Sequence, residues 1–184
     1  MAELKDVSIA YGPEPVCEHI SFTISQGDRI ALQGANGSGK SSILKLICGQ
    51  EIPYTGKFWR GNGLKISYVS QDTSNLRGRL SNFARDCGID ESLFLAMLAK
   101  LEVPKSQMEK DMSNLSAGQK KKVLLAKSIC EPAHLHIWDE PMNYIDVISR
   151  MQIEELLLRF QPTILFVEHD KAFCKNVATK TVRL

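Results

Sequence analysis

The chain has 184 residues, the length of one ordinary domain, of which 43% are apolar and 24% are charged. This composition excludes a disordered chain, a collagen-like chain and a coiled coil. A domain of this size buries enough surface to fold without a metal or a disulfide. The formal net charge is only +2, which implies no strong attraction to nucleic acid or anionic lipid, although it excludes neither.

The cysteine pattern and the apolar runs indicate where the protein works. Five scattered cysteines form no C-x-x-C pair, so neither a disulfide framework nor a zinc site is expected. The N-terminal segment lacks the pattern of a signal peptide, and the longest apolar runs are far shorter than the roughly 20 residues of a membrane span. We therefore expect a soluble, cytoplasmic chain with no membrane span. Four thiols lie beside apolar residues, as reduced core thiols do: Cys17, Cys48, Cys130 and Cys174.

The first third of the chain predicts β-structure followed by a strand, a loop and a helix. A short apolar strand at 29–33 runs into the glycine-rich segment 34–39, and a helix should follow and end near Gly49. Two more short strands are predicted at 57–60 and 65–70. Apolar residues alternate before these elements, which is typical of a half-exposed antiparallel pair: Val7, Ile9, Ile20, Phe22 and Ile24.

The rest of the chain predicts a small helical lobe and then alternating strands and helices. Residues 80–110 have the spacing of two or three short helices, within a lobe at roughly 75–117. Alternation of strand and helix is typical of a parallel sheet covered by helices, so we expect one α/β domain over 1–184. The predicted elements are helices at 118–130, 147–160 and 171–178, strands at 134–139 and 163–168, and a closing strand.

A glycine-rich loop carries the strongest chemical signal. Residues 34–41 match the pattern G-x-x-x-x-G-K-[ST] between a predicted strand and a predicted helix. In such a loop backbone N–H groups point at phosphate oxygens, the lysine binds the outer phosphates and the hydroxyl after it ligates Mg²⁺. The pattern therefore predicts a nucleoside triphosphate site. Its candidate residues are Gly34, Asn36, Gly37, Ser38, Gly39, Lys40, Ser41 and Ser42.

Two further segments complement the loop. The strand 134–139 ends in Asp139 and Glu140, which suits Mg²⁺-dependent hydrolysis, since Asp139 would hold the metal and Glu140 would polarise the attacking water. The pentapeptide 115–119, LSAGQ, opens a helix that Ser116 is placed to cap. On the pentapeptide alone, an ordinary capped helix is the better interpretation.

The order of these motifs resembles that of ABC-type ATPases over essentially the whole chain. It runs from the phosphate loop through Gln71, LSAGQ and WDEP to His169. The resemblance implies an ABC-type fold, with a mostly parallel core, an N-terminal antiparallel part and an inserted helical lobe, that binds ATP and Mg²⁺. It implies that Glu140 is the general base, that His169 contacts the γ-phosphate and that Gln71 contacts Mg²⁺ and water. It further implies metal ligands at Ser41, Gln71 and Asp139, a signature motif at Ser116, Gly118 and Gln119, a D-loop aspartate at Asp146, and adenine stacking by Tyr11.

Within that family the chain is most similar to ABC-F proteins, which are soluble tandem ATPases that act on ribosomes. The segment 139–146, DEPMNYID, resembles the ABC-F pattern D-E-P-T-N-x-L-D. The segments 120–130, 146–157 and 167–170 resemble the second ATPase domain of ribosomal protection proteins conferring resistance to lincosamides, streptogramin A and pleuromutilins. The chain departs from the family pattern in Ala117 of the signature, in Met142 and in the bulky Trp138.

One phosphate loop and one signature amount to two half-sites, because in this family the signature serves the nucleotide of a second, head-to-tail domain. The resemblance therefore implies a piece of a tandem protein that is a weak ATPase alone. Three alternatives stay open: the ATPase subunit of a membrane transporter, an ATP-gated binding module with negligible turnover, and a DNA-repair ATPase. Asn143 argues against the transporter. His19, His134 and His136 are interpreted as structural, and the lysine run 120–122 as facing solvent.

Overall fold

The computed structural model describes all residues, 1–184, and contains two sheets. The strands are β1 (Ala2–Ala10), β2 (Pro15–Ile24), β3 (Arg29–Gln33), β4 (Tyr54–Arg60), β5 (Ile66–Val69), β6 (Leu135–Asp139), β7 (Ile164–Val167) and β8 (Lys180–Arg183). The first sheet is antiparallel with the strand order β2-β1-β4, and the second is parallel with the order β5-β6-β7-β3-β8.

Seven helices accompany the sheets, and their order confirms the predicted α/β architecture with an antiparallel part and a helical lobe. They are α1 (Lys40–Cys48), α2 (Leu80–Asp86), α3 (Glu91–Lys100), α4 (Lys105–Met108), α5 (Ala117–Cys130), α6 (Val147–Phe160) and α7 (Lys171–Val177), with a 3₁₀ turn at Met112–Asn114. None of them is both long enough and apolar enough to cross a bilayer.

The antiparallel sheet forms because its strands present apolar residues to one face. Leu4 of β1 pairs with Phe22 of β2 on one side and with Phe58 of β4 on the other. Leu4 is buried whereas Phe22 and Phe58 are half-buried, and Trp59 is largely exposed on the outer face. The fourth strand begins earlier than the predicted 57–60 because its pairing with β1 extends to Tyr54.

The parallel sheet is buried on both faces. Alternate residues of its central strands enter two different cores: Leu135 and Ile137 of β6 pack toward α1 and the antiparallel sheet, whereas Trp138 packs toward the helical lobe and α5. Such two-sided burial is typical of parallel strands covered by helices. The carboxyl ends of β3, β5, β6 and β7 therefore meet at one edge, where the candidate site lies.

The five cysteines are free. Cys17 and Cys174 are buried as expected, whereas Cys48 and Cys130 are only partly buried, at helix ends. Burial raises the pKa of both partly buried thiols to about 11, which keeps them protonated at neutral pH.

Candidate nucleotide-binding site

The phosphate loop leaves β3 and enters α1 at Gly39, whose φ of 87° lies in the left-handed region. A Cβ at this position would lie 3.0 Å from the side chain of Cys17, so both conformation and space require glycine. The buried ammonium of Lys40 donates to the carbonyls of Gly34 and Ala35 at 3.0 and 2.7 Å. The hydroxyl of Ser38 is buried without a hydrogen-bond partner. A polyphosphate oxygen would satisfy that hydroxyl, so the loop fits such a ligand.

Oxygen donors suited to Mg²⁺ lie directly beside the loop. The hydroxyl of Ser41, in the first turn of α1, donates to Oδ2 of Asp139 at the end of β6, at 3.0 Å. Burial raises the pKa of Asp139, and the hydrogen bond from Ser41 opposes the shift. A hydroxyl and a carboxylate are the ligands that Mg²⁺ prefers. The donor set therefore fits the metal that the sequence predicts.

Two of the predicted catalytic side chains, Gln71 and His169, approach the carboxylate of the third, Glu140. Glu140 has a left-handed φ of 49°, which is strained for this residue type. Gln71 donates to Oε2 of Glu140 at 2.8 Å, and Nε2 of His169 lies 3.4 Å from Oε1. Asn143 also donates to Oε2, at 2.6 Å. The sequence interpretation used Asn143 only as a family marker and did not identify this contact.

A cleft of about 560 Å³, in the range of ligand sites, lies between the phosphate loop and Glu140. Residues of the phosphate loop form one wall, and Gln71, Glu140 and His169 form the other. Tyr11 lies at its edge, where its hydroxyl donates to Oγ of Ser42 at 3.0 Å and its ring is more than half exposed. None of the residues of the signature pentapeptide, 115–119, lines this cleft.

The signature pentapeptide is built as a capped helix start, as predicted. Ser116 accepts from the backbone N–H of Gln119, and the side chain of Gln119 accepts from the backbone N–H of Ser116. A Cβ at Gly118 would lie 2.5 Å from the carbonyl oxygen of Tyr144. At this point the backbone of α5 lies directly against the backbone of the loop after Glu140, so only glycine fits at position 118.

The prediction that the lysine run 120–122 faces solvent is wrong for two of its three residues. Lys121 is 1% exposed, and its ammonium donates to the carbonyls of Ser70 and Asp139 at 2.9 and 3.3 Å. The buried ammonium of Lys122 lies 2.6 Å from Oδ2 of Asp146. The sequence does indicate that Lys121 is on the buried face of the helix, because it lies four residues before the buried Leu125 and seven before the buried Ser128.

The three histidines predicted to be structural, His19, His134 and His136, each make a contact within the protein. His136 and Trp138 both bond to Oγ of Ser128 at 3.1 and 2.8 Å, and this small residue on α5 makes room for the bulky indole. Burial lowers the pKa of His136. His134 accepts from a backbone N–H at 3.0 Å, and the exposed His19 pairs with Asp6 at 2.7 Å.

Comparisons with known proteins agree with this geometry. Residues 17–143 match the ABC transporter family. The chain is 32% identical to the ATP-binding protein Uup of Buchnera aphidicola, over 97% of this chain and 31% of that protein. It is 30% identical to the ribosome protection protein VmlR of Bacillus subtilis, over 95% of this chain and 32% of that protein. The chain therefore spans about a third of the length of these relatives.

Solved structures share the fold. The ATP-binding cassette MJ0796, in a dimeric post-hydrolysis structure bound to ADP and Pi, superposes with a TM-score of 0.86 at 22% identity, over 100% of this chain and 94% of that one. This likeness shows the fold, and the family match, which covers more than half of the chain, shows the family. The chain belongs to the ABC transporter family and is an ABC-type ATPase domain that binds ATP with Mg²⁺.

Proposed function

We propose that this chain is one of two ATPase domains of a cytoplasmic ABC-F protein and that Glu140 is its general base. The observation that carries the proposal is the carboxylate of Glu140 beside the phosphate loop, with one oxygen held by Gln71 and Asn143 and the other facing His169. A carboxylate fixed in this way is placed to accept a proton from a water that attacks the γ-phosphate.

The side chains in and around the cleft have separate roles. Lys40, the loop amides and the hydroxyls of Ser38 and Ser42 bind the phosphates, and Tyr11 stacks on the adenine. Ser41, Asp139 and Gln71 would hold Mg²⁺, which would neutralise charge on the phosphate oxygens. Glu140 takes the proton of the attacking water, and His169 stabilises the γ-phosphate. Burial of the loop lysine and of Asp139 supports this assignment, since charges act more strongly in a partly dehydrated site.

A companion domain would complete the site. The signature side chains of Ser116 and Gln119 lie at the surface, outside the cleft, where they can face the nucleotide of another domain. A strip of exposed apolar side chains, which is the kind of surface that a partner covers, supports head-to-tail pairing next to Glu140. It consists of Tyr144, Val147, Ile148 and Met151. The isolated chain would then hydrolyse ATP poorly.

The ribosome is the proposed site of action. The likeness to VmlR, whose name describes ribosome protection, supports this role over the membrane transporter alternative. The DEPMNYID segment supports it as well, because it resembles the ABC-F pattern D-E-P-T-N-x-L-D. We infer that ATP closes the paired domains and drives ribosome engagement, that hydrolysis resets them, and that the outcome is resistance to lincosamides, streptogramin A and pleuromutilins.

Co-sedimentation of the intact protein with ribosomes tests this proposal. The Glu140→Gln variant should bind ATP without hydrolysing it, and it should pellet with ribosomes only when ATP is present. Lys40→Ala, added to the same variant, is the control that should abolish the ATP dependence. Equal pelleting with and without ATP would refute ATP-gated engagement, and recovery with membranes instead of ribosomes would favour the transporter alternative.

A further inference from the structure

Lys121 is a buried cation at the point where three parts of the candidate site meet. It lies in the second turn of α5, and its ammonium donates to the carbonyl of Ser70 at 2.9 Å and to that of Asp139 at 3.3 Å. The first carbonyl belongs to the peptide bond that leads into Gln71, and the second belongs to the one that leads into Glu140. One side chain therefore holds both turns that carry these two residues.

Burying an ammonium group is costly unless it is well compensated. Lys121 forms no direct ion pair, although the carboxylates of Asp139, Glu140 and Glu168 lie near enough to stabilise its charge. Packing alone would be served as well by an apolar side chain of the same length, such as methionine. The position of the charge, between two carbonyls and close to three carboxylates, therefore requires another explanation.

The geometry around Glu140 supplies that explanation. The backbone N–H of Glu140 donates to the carbonyl of Val167 at 3.0 Å, while Lys121 holds the carbonyl on the other side of the same peptide unit. That peptide unit is fixed from both ends immediately before the left-handed φ of Glu140. Gln71, which follows the other carbonyl held by Lys121, donates to the Glu140 carboxylate at 2.8 Å. A shift at either turn would break this contact.

We propose that Lys121 is a positioning residue for ATP hydrolysis, whose ammonium holds the Ser70 and Asp139 carbonyls and thereby aims Gln71 and Glu140 at the attacking water. This inference rests on the proposed role of Glu140. Lys121 itself does not line the cleft and would not contact the nucleotide. Loss of the ammonium should therefore slow the chemical step and leave ATP binding nearly unchanged.

A double-mutant cycle in the intact protein tests the proposal, with the general base of the companion domain replaced in every variant. Lys121→Met should lower single-turnover hydrolysis about 10- to 100-fold, because small misplacements of reacting groups have effects of that size. The Kd for MgATP should change less than about threefold, as for a group that does not bind ground-state substrate. In the Glu140→Gln background the same change should have an effect below about twofold, because Lys121 acts through Glu140.

Each outcome decides a separate point. An equal loss of rate in both backgrounds, or an unchanged rate in the Glu140 background, would overturn the inference. Absence of hydrolysis by the parent protein, or an unaltered rate in Glu140→Gln alone, would instead overturn the proposed function. Lys121→Gln, whose amide can still donate to one carbonyl, decides the question in the same cycle if Lys121→Met does not fold. Lys100→Met, which removes an exposed lysine at the end of α3, is the control for loss of one positive charge.

Discussion

The side-chain amide of Asn143 donates a hydrogen bond of 2.6 Å to Oε2 of Glu140, three residues earlier in the chain. The same oxygen accepts from Gln71 at 2.8 Å. Both bonds favour one rotamer of Glu140, because the two amides approach from different elements. The opposite oxygen, Oε1, remains oriented toward His169 and the cleft.

Asn143→Ala should therefore reduce turnover without abolishing it. Removing one hydrogen bond to a charged group costs about 1.5–3 kcal/mol, which predicts a fall in kcat of roughly 10- to 100-fold with little change in KM for ATP. Steady-state kinetics of the intact protein, with the general base of the proposed companion domain replaced, measure both constants. A rise in KM with constant kcat would show that Asn143 serves binding and does not position the base.

Glu140→Gln should have the larger effect, because it removes the proposed base and not only one of its supports. Loss of a general base costs about 10²- to 10⁴-fold in rate. The affinity for ATP should remain, since Lys40 and the loop amides are unaltered. Hydrolysis rates and ATP binding by calorimetry, both measured with the general base of the proposed companion domain replaced, check the two statements. An unchanged rate would remove Glu140 from the mechanism.

Lys40→Ala should weaken ATP binding while the domain stays folded. The ammonium of Lys40 is held by two carbonyls of the loop, and a phosphate oxygen would receive a charge-assisted bond from it. We expect a loss of affinity of roughly 10- to 100-fold, measured by titration with a fluorescent ATP analogue. Lys65→Ala, at an exposed lysine remote from the loop, should leave affinity and melting temperature unchanged. Normal affinity in Lys40→Ala would show that the loop is not the phosphate site.

The parts of the fold that the sequence predicts are those set by local patterns. The helix α6 occupies the predicted range 147–160, because its apolar spacing and its cap at Asp146 are both local signals. The phosphate loop is recognisable for the same reason, since its glycines and Lys40 are consecutive in the chain. Glu140 is predicted from the strand that ends in two carboxylates, whereas Gln71 and His169 are predicted from resemblance. The structure places the three side chains together.

Contacts between distant segments could not be predicted in this way. Lys121 looks like part of a solvated charge run until β5 and β6 are placed beside α5, which brings the carbonyls of Ser70 and Asp139 within reach. Trp138 looks too large for its strand until Ser128 is placed opposite it. In both cases the residue that makes the contact comes from another element of the fold, so the periodicity of the sequence alone predicts the contact only weakly.

Gly118→Ala should destabilise the domain even though alanine is the better helix former. The gain in helix propensity is about 1 kcal/mol, but the new Cβ would lie 2.5 Å from the Tyr144 carbonyl. Overpacking of this kind costs about 1–3 kcal/mol. Because the two nearest atoms belong to the Tyr144 backbone, which cannot easily move away, this cost should exceed the gain in helix propensity. Urea denaturation of the chain measures the difference. The adjacent, exposed Ala117→Ser should change stability by less than about 0.5 kcal/mol, and a more stable Gly118→Ala would contradict the close approach.

Asp146→Asn should reveal a stabilising charge that disappears in acid. Partial burial of the Asp146 carboxyl tends to raise its pKa, but the bonds from Lys122 and Ser149 outweigh burial and hold that pKa well below its usual range. A carboxyl whose pKa is lowered by folding contributes stability above its unfolded pKa of about 3.9, and the contribution is lost as the pH falls toward the folded value. Asparagine keeps the helix cap and removes only the charge.

Because the side chain of Asp146 is 49% exposed, solvent screening limits the loss in Asp146→Asn to about 1 kcal/mol at pH 7. The difference in unfolding free energy between Asp146→Asn and the parent chain should be constant above about pH 5. It should shrink below about pH 4, since protonation then removes the same charge from the parent chain. Thermal unfolding followed from pH 7 down to about pH 2 measures this change. In a Lys122→Met background the effect should fall to a few tenths of a kcal/mol, because the buried ammonium partner is gone. A difference that persists unchanged in acid would show that the loss does not come from the charge of Asp146 and that the ion pair with Lys122 contributes nothing.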